Sequence, residues 1–177
     1  MTDTVLQSAV PWRASVVLDF ARSELFDRTF EEGMELVEET AAYLDGAGRQ
    51  DSKLLSRGAA LAYASESMRL TTRLMQVASW LLVQRAVREG EMRADAACED
   101  RYRLAPLDGA RAEPSEGSAD LPVPLIMLLD RSEKLYERIG HLDRRMYVDQ
   151  GEEPAPNPVL SQLANLQAAF GAVGAPS

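Results

Sequence analysis

The sequence predicts an all-α protein: an antiparallel three-helix bundle with a long central helix and a flexible C-terminal tail. Apolar residues recur every seven positions through the middle of the chain, and two other segments carry apolar residues at helical spacing. Such spacings place apolar side chains along one face of a helix that packs lengthwise against its neighbours. Glycine and proline cluster between the three segments, where the chain is expected to turn. Helices joined in up, down, up order would complete the bundle.

The first helix is expected from about Ser15 to Asp45. Two neighbouring lines form its apolar stripe: Leu18, Leu25, Leu36 and Tyr43, with Phe26, Phe30, Val37 and Leu44 beside them. Gly46 and Gly48 follow and end the helix, because glycine favours a turn over a continued helix. Residues 1–14, before the helix, are expected to form a flexible N-terminal segment.

The central helix is expected from Asp51 to Glu91, a run without proline. Its packing seam is expected to be the seven-residue repeat: Leu54, Leu61, Met68, Met75 and Leu82. Small residues at Ala64, Thr71 and Ala78 lie near this seam and are expected to let a neighbouring backbone approach closely. Trp80 is expected to anchor the packing, with an indole N–H that needs a hydrogen-bond partner.

The third helix is expected to begin after Pro122 and Pro124. Its buried stripe alternates steps of three and four: Leu125, Leu128, Ser132, Leu135, Ile139, Leu142 and Met146. Residues 92–121 separate it from the central helix. The first part of this connection, to about Leu104, could prolong the central helix, and the remainder is expected to be a mobile loop. The bundle domain is therefore predicted over residues 15–150.

The C-terminal tail is predicted over residues 151–177. It opens with the breaker-rich linker GEEPAPNP, after which Asn157 and Pro158 could start a short helix. One face of that helix would gather five apolar residues: Val159, Leu160, Leu163, Leu166 and Phe170. About a dozen residues form only a marginal helix alone in water. The tail is therefore interpreted as a partner-binding segment, with a weak cap on the bundle as the alternative.

Composition limits the classes of partner. A net charge of -9 disfavours binding to nucleic acid and to anionic lipid, which both need a basic surface. No apolar stretch approaches the length of a membrane span, and the N-terminus lacks a signal-peptide pattern, so a cytoplasmic protein is expected. With a single cysteine, Cys98, an intramolecular disulfide is excluded.

Acidic residues are concentrated in the first helix, and basic residues predominate slightly in the third. The common interpretation is solvated helix faces whose opposite charges favour neighbouring positions in the bundle. The sharper hypothesis is an acidic docking face for a basic partner, formed by Glu31, Glu35 and Glu38 on one exposed side of the first helix.

Catalytic residues are sparse. One cysteine and one histidine cannot form a zinc site, and no glutamate stands three residues before His141, as a di-iron site would require. No glycine-rich phosphate loop is visible. Neither a cofactor, nor a metal, nor an enzymatic activity is expected. Cys98 is expected to be an unreactive residue at a helix end, and His141 is expected at the edge of the core. Two rival functions stay open: a histidine phosphotransfer module that uses His141, and a purely structural dimerisation protein.

Two segments resemble the RcdA family of alphaproteobacteria, named for the regulation of CtrA degradation. They are Ser56–Met92, SRGAALAYASESMRLTTRLMQVASWLLVQRAVREGEM, and Ile126–Tyr147, IMLLDRSEKLYERIGHLDRRMY. The resemblance covers the helical body, from about residue 15 to 150. It implies a three-helix bundle that is a homodimer and has no enzymatic activity. It also implies an adaptor in regulated proteolysis, which helps the ClpXP protease, primed by a response regulator, to receive cell-cycle regulators and other substrates. Such adaptors accumulate at a cell pole and depend on a flexible C-terminal tail.

Overall fold

A computed structural model of the chain describes residues 10–106 and 117–147. Within these residues the regular elements are all helical, which confirms the all-α fold class. The α-helices are α1 (Val10–Ala21), α2 (Glu24–Asp45), α3 (Ala47–Lys53), α4 (Arg57–Glu89), α5 (Ala94–Ala97) and α6 (Val123–Tyr147). Short 3₁₀ turns occupy Asp100–Tyr102 and Ser118–Asp120. The long helices α2, α4 and α6 form the body, and α1 packs against α4, α5 and α6.

The order of the long helices differs from the predicted up, down, up arrangement. α2 runs antiparallel to α6, since Glu32 pairs with Arg138 and Glu39 with Arg131. α4 and α6, by contrast, are parallel. Arg73 of α4 donates to Ser132 of α6 at 2.8 Å, and eleven residues further along α4 Gln84 lies level with Tyr147 near the end of α6.

The parallel pair requires a connection that returns along the bundle. Leu104 lies beside Asp143 near the end of α6. The Ala105 carbonyl accepts from the hydroxyl of Tyr136, which stands about two turns before Asp143 on the same helix. Further on, Gly117 lies against the backbone of Gly58 at the start of α4. The chain therefore travels back to the starting end of α4 before α6 begins. We call residues 90–122 the crossover segment.

The first predicted helix is two helices. Ser23 has an extended backbone, and its hydroxyl accepts a hydrogen bond from the Phe26 amide at 3.2 Å, so it caps the N-terminus of α2. α1 lies before this break, and its Val17 and Ala21 are fully buried. Residues 10–14, predicted as part of a flexible segment, belong to the first turns of α1.

α4 is shorter than predicted at its start and does not extend beyond its predicted end. Ser56 caps it by accepting from the Ala59 amide at 3.3 Å, and the preceding residues form the separate helix α3. At the other end Gly90 adopts a left-handed conformation, with φ of 76°, and its N–H bonds back to the last turn. The crossover segment therefore turns away after Gly90 and does not prolong the helix.

The predicted seam of α4 is wrong. Leu54, Leu61, Met68, Met75 and Leu82 are 86%, 67%, 72%, 66% and 51% exposed. The buried side of α4 is instead formed by Leu70, Leu74, Val77, Trp80 and Leu81, among others. Apolar residues occur around much of the α4 circumference, so the seven-residue repeat could not identify the inward face. On α6 the predicted stripe is confirmed, with Leu142 half-buried and the other members buried. On α2, Leu25 of the predicted stripe is exposed.

A buried carboxylate fastens the crossover segment to the body. Asp143 is 3% exposed and accepts from the Trp80 indole N–H at 3.0 Å, which confirms that Trp80 is an anchor with a partnered N–H. The same carboxylate accepts from Arg103 at 3.0 Å and from the Leu104 amide at 3.3 Å. One side chain of α6 thus joins α4, α6 and the crossover segment.

Candidate functional site

The exposed side of α4 carries no charge over about six turns. Between Leu61 and Leu82 the exposed residues are Leu61, Ala64, Ser65, Met68, Thr71, Thr72, Met75, Ser79 and Leu82, which we call the α4 outer face. In a chain of which 27% is charged, an uncharged exposed strip roughly 32 Å long is unusual. Contiguous exposed apolar surface of this kind marks interaction sites in water-soluble folds. The small residues predicted to face a neighbour, Ala64 and Thr71, lie on this outer face and not in the core.

A groove separates the outer face from α2. Its walls are Val37, Thr40, Ala41, Leu44 and Asp45 of α2, and Thr71, Leu74, Met75 and Ala78 of α4, around a volume of about 320 Å³. α2 approaches α4 closely at Gly33, where an added Cβ would lie 2.5 Å from Leu81 Cδ1. Further along, small side chains at Ala41 and Ala78 leave the groove open. We call this the α2/α4 groove.

One polar group in this groove lacks a protein partner. Thr40 is 4% exposed, and its hydroxyl has no hydrogen bond among the described residues. Two other threonines behave differently, because Thr29 and Thr71 donate to the carbonyls of Leu25 and Ser67 at 2.7 and 2.9 Å. A buried hydroxyl without a partner is uncommon in folded proteins and calls for an explanation.

The acidic residues of α2 divide into two groups. Glu32, Glu39 and Asp27 form ion pairs with arginines of the neighbouring long helices, as the charge-complementarity interpretation predicts. Glu31, Glu35 and Glu38 are exposed and form no ion pair within the described part of the chain. The structure therefore leaves unpaired the three carboxylates that the sequence assigned to a docking face. Their role in binding stays a prediction.

His141 is exposed, so its predicted place at the edge of the core is wrong. Its Nδ1 lies 3.0 Å from a guanidinium nitrogen of Arg144. It belongs to a shallow depression that also includes Lys134, Glu137, Arg138, Leu142 and Arg145. Because guanidinium only donates, this contact is a hydrogen bond when Nδ1 is the accepting nitrogen of the ring.

Cys98 matches the predicted unreactive residue. It ends α5 half-buried, and its thiol donates to the Ala94 carbonyl at 3.2 Å. Burial raises the pKa of the Cys98 thiol, which disfavours the reactive thiolate at neutral pH. Over residues 10–106 and 117–147, acidic residues, His141 and Cys98 form no cluster that could hold a metal ion. In the same ranges, no helix is both long and apolar enough to cross a membrane.

The predicted tail site lies outside the described residues: Val159, Leu160, Leu163, Leu166 and Phe170. Within the described part, sequence reasoning missed Asp143 and Thr40. A signal existed for Asp143, since it stands four residues after Ile139 and three before Met146, on the apolar side of α6. For Thr40 no signal existed, because threonine is common on exposed helix surfaces.

Comparison with known proteins identifies a family and a solved structure that resemble this chain. The model of the family DUF1465, described as a protein of unknown function, matches residues 17–170. The crystal structure of RcdA from Caulobacter crescentus CB15 is 69% identical in sequence, covers 75% of this chain and 99% of that chain, and superposes with a TM-score of 0.62. Curated proteins give no match.

Proposed function

This chain belongs to the RcdA family, as its two resembling segments predicted, and we propose on that basis that it is a non-enzymatic adaptor in regulated proteolysis. The observation that carries the proposal is the 69% identity over 99% of the solved RcdA chain. In this role the protein helps ClpXP, primed by a response regulator, to receive cell-cycle regulators and other substrates. Recruitment to a cell pole is part of the same proposal.

An adaptor works through surfaces that bind other chains and needs no reacting group. The described residues offer such surfaces in the uncharged α4 outer face and in the unpaired carboxylates Glu31, Glu35 and Glu38. The predicted tail adds a tethered segment that would bind by ordering, which trades affinity for reach. These features support delivery by binding.

The test is a reconstituted proteolysis assay with ClpXP, the response regulator and a labelled cell-cycle regulator as substrate. Addition of the full chain should accelerate substrate loss, and truncation after Gly151 should abolish delivery of at least one substrate class. Circular dichroism of the truncated protein is the control, because helicity and melting temperature should stay nearly unchanged. No acceleration by the full chain, with each partner active, would refute the adaptor function. Destabilisation of the truncated body by several kcal/mol would instead make the tail a packing element.

We further propose that the protein is a homodimer through the α4 outer face. The residue types on this face are nearly symmetric about a point between Thr71 and Thr72. At equal distances from that point stand Leu61 and Leu82, Ala64 and Ser79, and Met68 and Met75. In a two-fold dimer each residue meets its mirror position on the other copy. Two antiparallel α4 helices would therefore place leucine on leucine, methionine on methionine and small residues on small residues.

Cross-linking tests both the surface and its direction. In a Cys98→Ser background, the double variant with Met68→Cys and Met75→Cys should give a disulfide-linked dimer, because position 68 of one copy meets position 75 of the other. Each single variant should cross-link poorly, since identical positions lie roughly 10 Å apart along the axis, too far for a disulfide. Efficient cross-linking by the Met68→Cys single variant would indicate parallel helices, and no cross-linking in any variant would exclude this face.

A second candidate function, histidine phosphotransfer, is favoured by the exposure of His141. Its geometry gives weaker support, because a guanidinium nitrogen of Arg144 lies 3.0 Å from Nδ1 and competes for the lone pair of that nitrogen. Incubation with a phosphorylated response regulator tests it directly. Transfer of phosphate to the chain, lost in His141→Ala, would establish the phosphotransfer function.

A further inference from the structure

We propose that the α2/α4 groove binds an amphipathic helix of another protein, with apolar anchors that enter the groove and basic residues along the side that faces α2. The inference rests on the proposed adaptor function, since it specifies the chemistry of one class of partner. Two observations support it: the shape of the groove and the distribution of charge along the rim.

The groove has the shape that a helix requires. Its walls extend along two antiparallel helices over about two turns, and only Thr40, Thr71 and Asp45 among the lining residues are polar. A third helix lying between two packed helices places apolar side chains at i, i+3 or i+4 into such a depression. A volume of about 320 Å³ falls within the range of sites that bind ligands, at its small end, which fits one or two anchoring side chains.

The rim of the groove is acidic on the α2 side only. Asp45 lines the groove and contacts the exposed Arg49 at 3.4 Å. Glu38, seven residues earlier, follows the same edge of the helix about 60° from Ala41. It forms no ion pair in the described ranges. On the α4 side Thr71, Met75 and Ala78 carry no charge. A helix with lysine or arginine on the flank facing α2 complements this pattern.

The same charges disfavour two occupants from this chain itself. Residues 151–177 contain no lysine or arginine, and their linker carries Glu152 and Glu153, which the acidic rim would repel. The α4 outer face of a second copy is uncharged and has nothing to pair with Glu38. Thr71 and Met75 belong both to the groove and to the outer face, so the bound helix and a second copy would exclude each other at these two residues. The observations thus favour a different protein as the occupant.

The test uses the full chain and two synthetic 16-residue peptides. Both have leucine anchors at helical spacing in an alanine background; one carries lysine along one flank, and the other carries glutamate at the same positions. Methyl NMR titration should give saturable shifts at Thr40, Ala41, Leu44 and Ala78 with the lysine peptide. The glutamate peptide should bind at least tenfold more weakly, and the affinity for the lysine peptide should fall as salt rises through the physiological range.

Matched variants separate the groove from the rest of the surface. Ala41→Phe fills the groove at an exposed helix position and should weaken binding of the lysine peptide at least tenfold, whereas Ala42→Phe, on the next exposed residue outside the groove, should leave it unchanged. Glu38→Gln should weaken binding severalfold, while Glu137→Gln on α6 should not.

Several results would overturn the proposal. They are equal affinity for the two peptides, shifts confined to Met68 and Leu82 of the outer face, unchanged binding in Ala41→Phe, or no saturable shift at millimolar peptide. Failure of the adaptor proposal is separate, because it is read from substrate loss in the reconstituted protease assay. The peptide titration contains no protease and no response regulator.

Discussion

Asp143→Leu should release the crossover segment and destabilise the bundle. The substitution removes a carboxylate that accepts from the Trp80 indole, the Leu104 amide and the Arg103 guanidinium. The first two donors would be left in a buried site without an acceptor, at about 1–3 kcal/mol each. Arg103 is partly exposed and would regain water, so its loss adds less. The expected total is about 4 kcal/mol.

Thermal unfolding followed by circular dichroism measures this loss. For a chain of 177 residues, one kcal/mol lowers the melting temperature by about 2–4 °C, so Asp143→Leu should melt roughly 8–16 °C below the parent protein. The matched control is Asp143→Asn, whose amide oxygen still accepts from Trp80 and Leu104. It should lose only the charged contact to Arg103, about 1–2 kcal/mol.

Hydrogen exchange distinguishes local release from general loosening. In Asp143→Leu the Leu104 amide should exchange much faster than in the parent protein. Residues of α2 remote from position 143 should keep their relative protection from hydrogen exchange. A melting temperature within about 2 °C of the parent would refute the proposed role of the Asp143 hydrogen bonds, because at least one buried donor must then have another acceptor. Equal destabilisation by Asn and Leu would show that charge, and not the accepted hydrogen bonds, holds the segment.

Three further measurements test other parts of the structure. Gly33→Ala should cost about 1–2 kcal/mol net in chemical denaturation, because the added Cβ would lie 2.5 Å from Cδ1 of the fully buried Leu81, and the gain of about 0.5–1 kcal/mol in helix propensity offsets only part of this; no change would mean that the Leu81 side chain moves aside. Burial raises the pKa of Tyr147 to about 12, so its contribution to stability is complete below the unfolded-state pKa of about 10 and is lost as pH rises from about 10 to about 12. Tyr147→Phe should flatten that part of the stability profile, and an unchanged profile would contradict the assignment. His141→Ala should retain full activity in the protease assay, since delivery needs no phosphoryl acceptor, and loss of activity with the fold intact would support phosphotransfer.

The sequence predicted the helical class and the inward face of α6, because on that helix one stripe is apolar and the opposite side is charged. It failed on α4, because two faces of that helix carry apolar residues at helical spacing. Leu70, Leu74 and Leu81 lie on the buried face, and Leu61, Met68 and Leu82 lie on the exposed face. Periodicity identifies the inward face of a helix when that face is more apolar than the opposite face. On α4 the exposed side is also uncharged and rich in apolar residues, so the two faces could not be distinguished. The strong repeat was real, but it described a surface that the isolated chain leaves open.

The parallel arrangement of α4 and α6 could not be predicted from helix patterns. It depends on a connection whose order comes from single contacts: the left-handed Gly90, the Asp143 carboxylate and the close approach of Gly117 to Gly58. None of these contacts has a periodic signature. The acidic residues show the same limit, since sequence alone identified the surplus on α2 but only the structure separated paired Glu32 and Glu39 from unpaired Glu38.

Because α6 runs parallel to α4, its last residue, Tyr147, lies level with Gln84, nearer along α4 to Leu82 than to Leu61. In the proposed antiparallel pair this point is about 19 Å along α4 from the two-fold axis. The two chains would therefore continue beyond Tyr147 from opposite ends of the pair, with starting points roughly 38 Å or more apart. Two substrate molecules could then bind at the two ends of the dimer without collision. One small substrate could not contact both chains at once just beyond Tyr147.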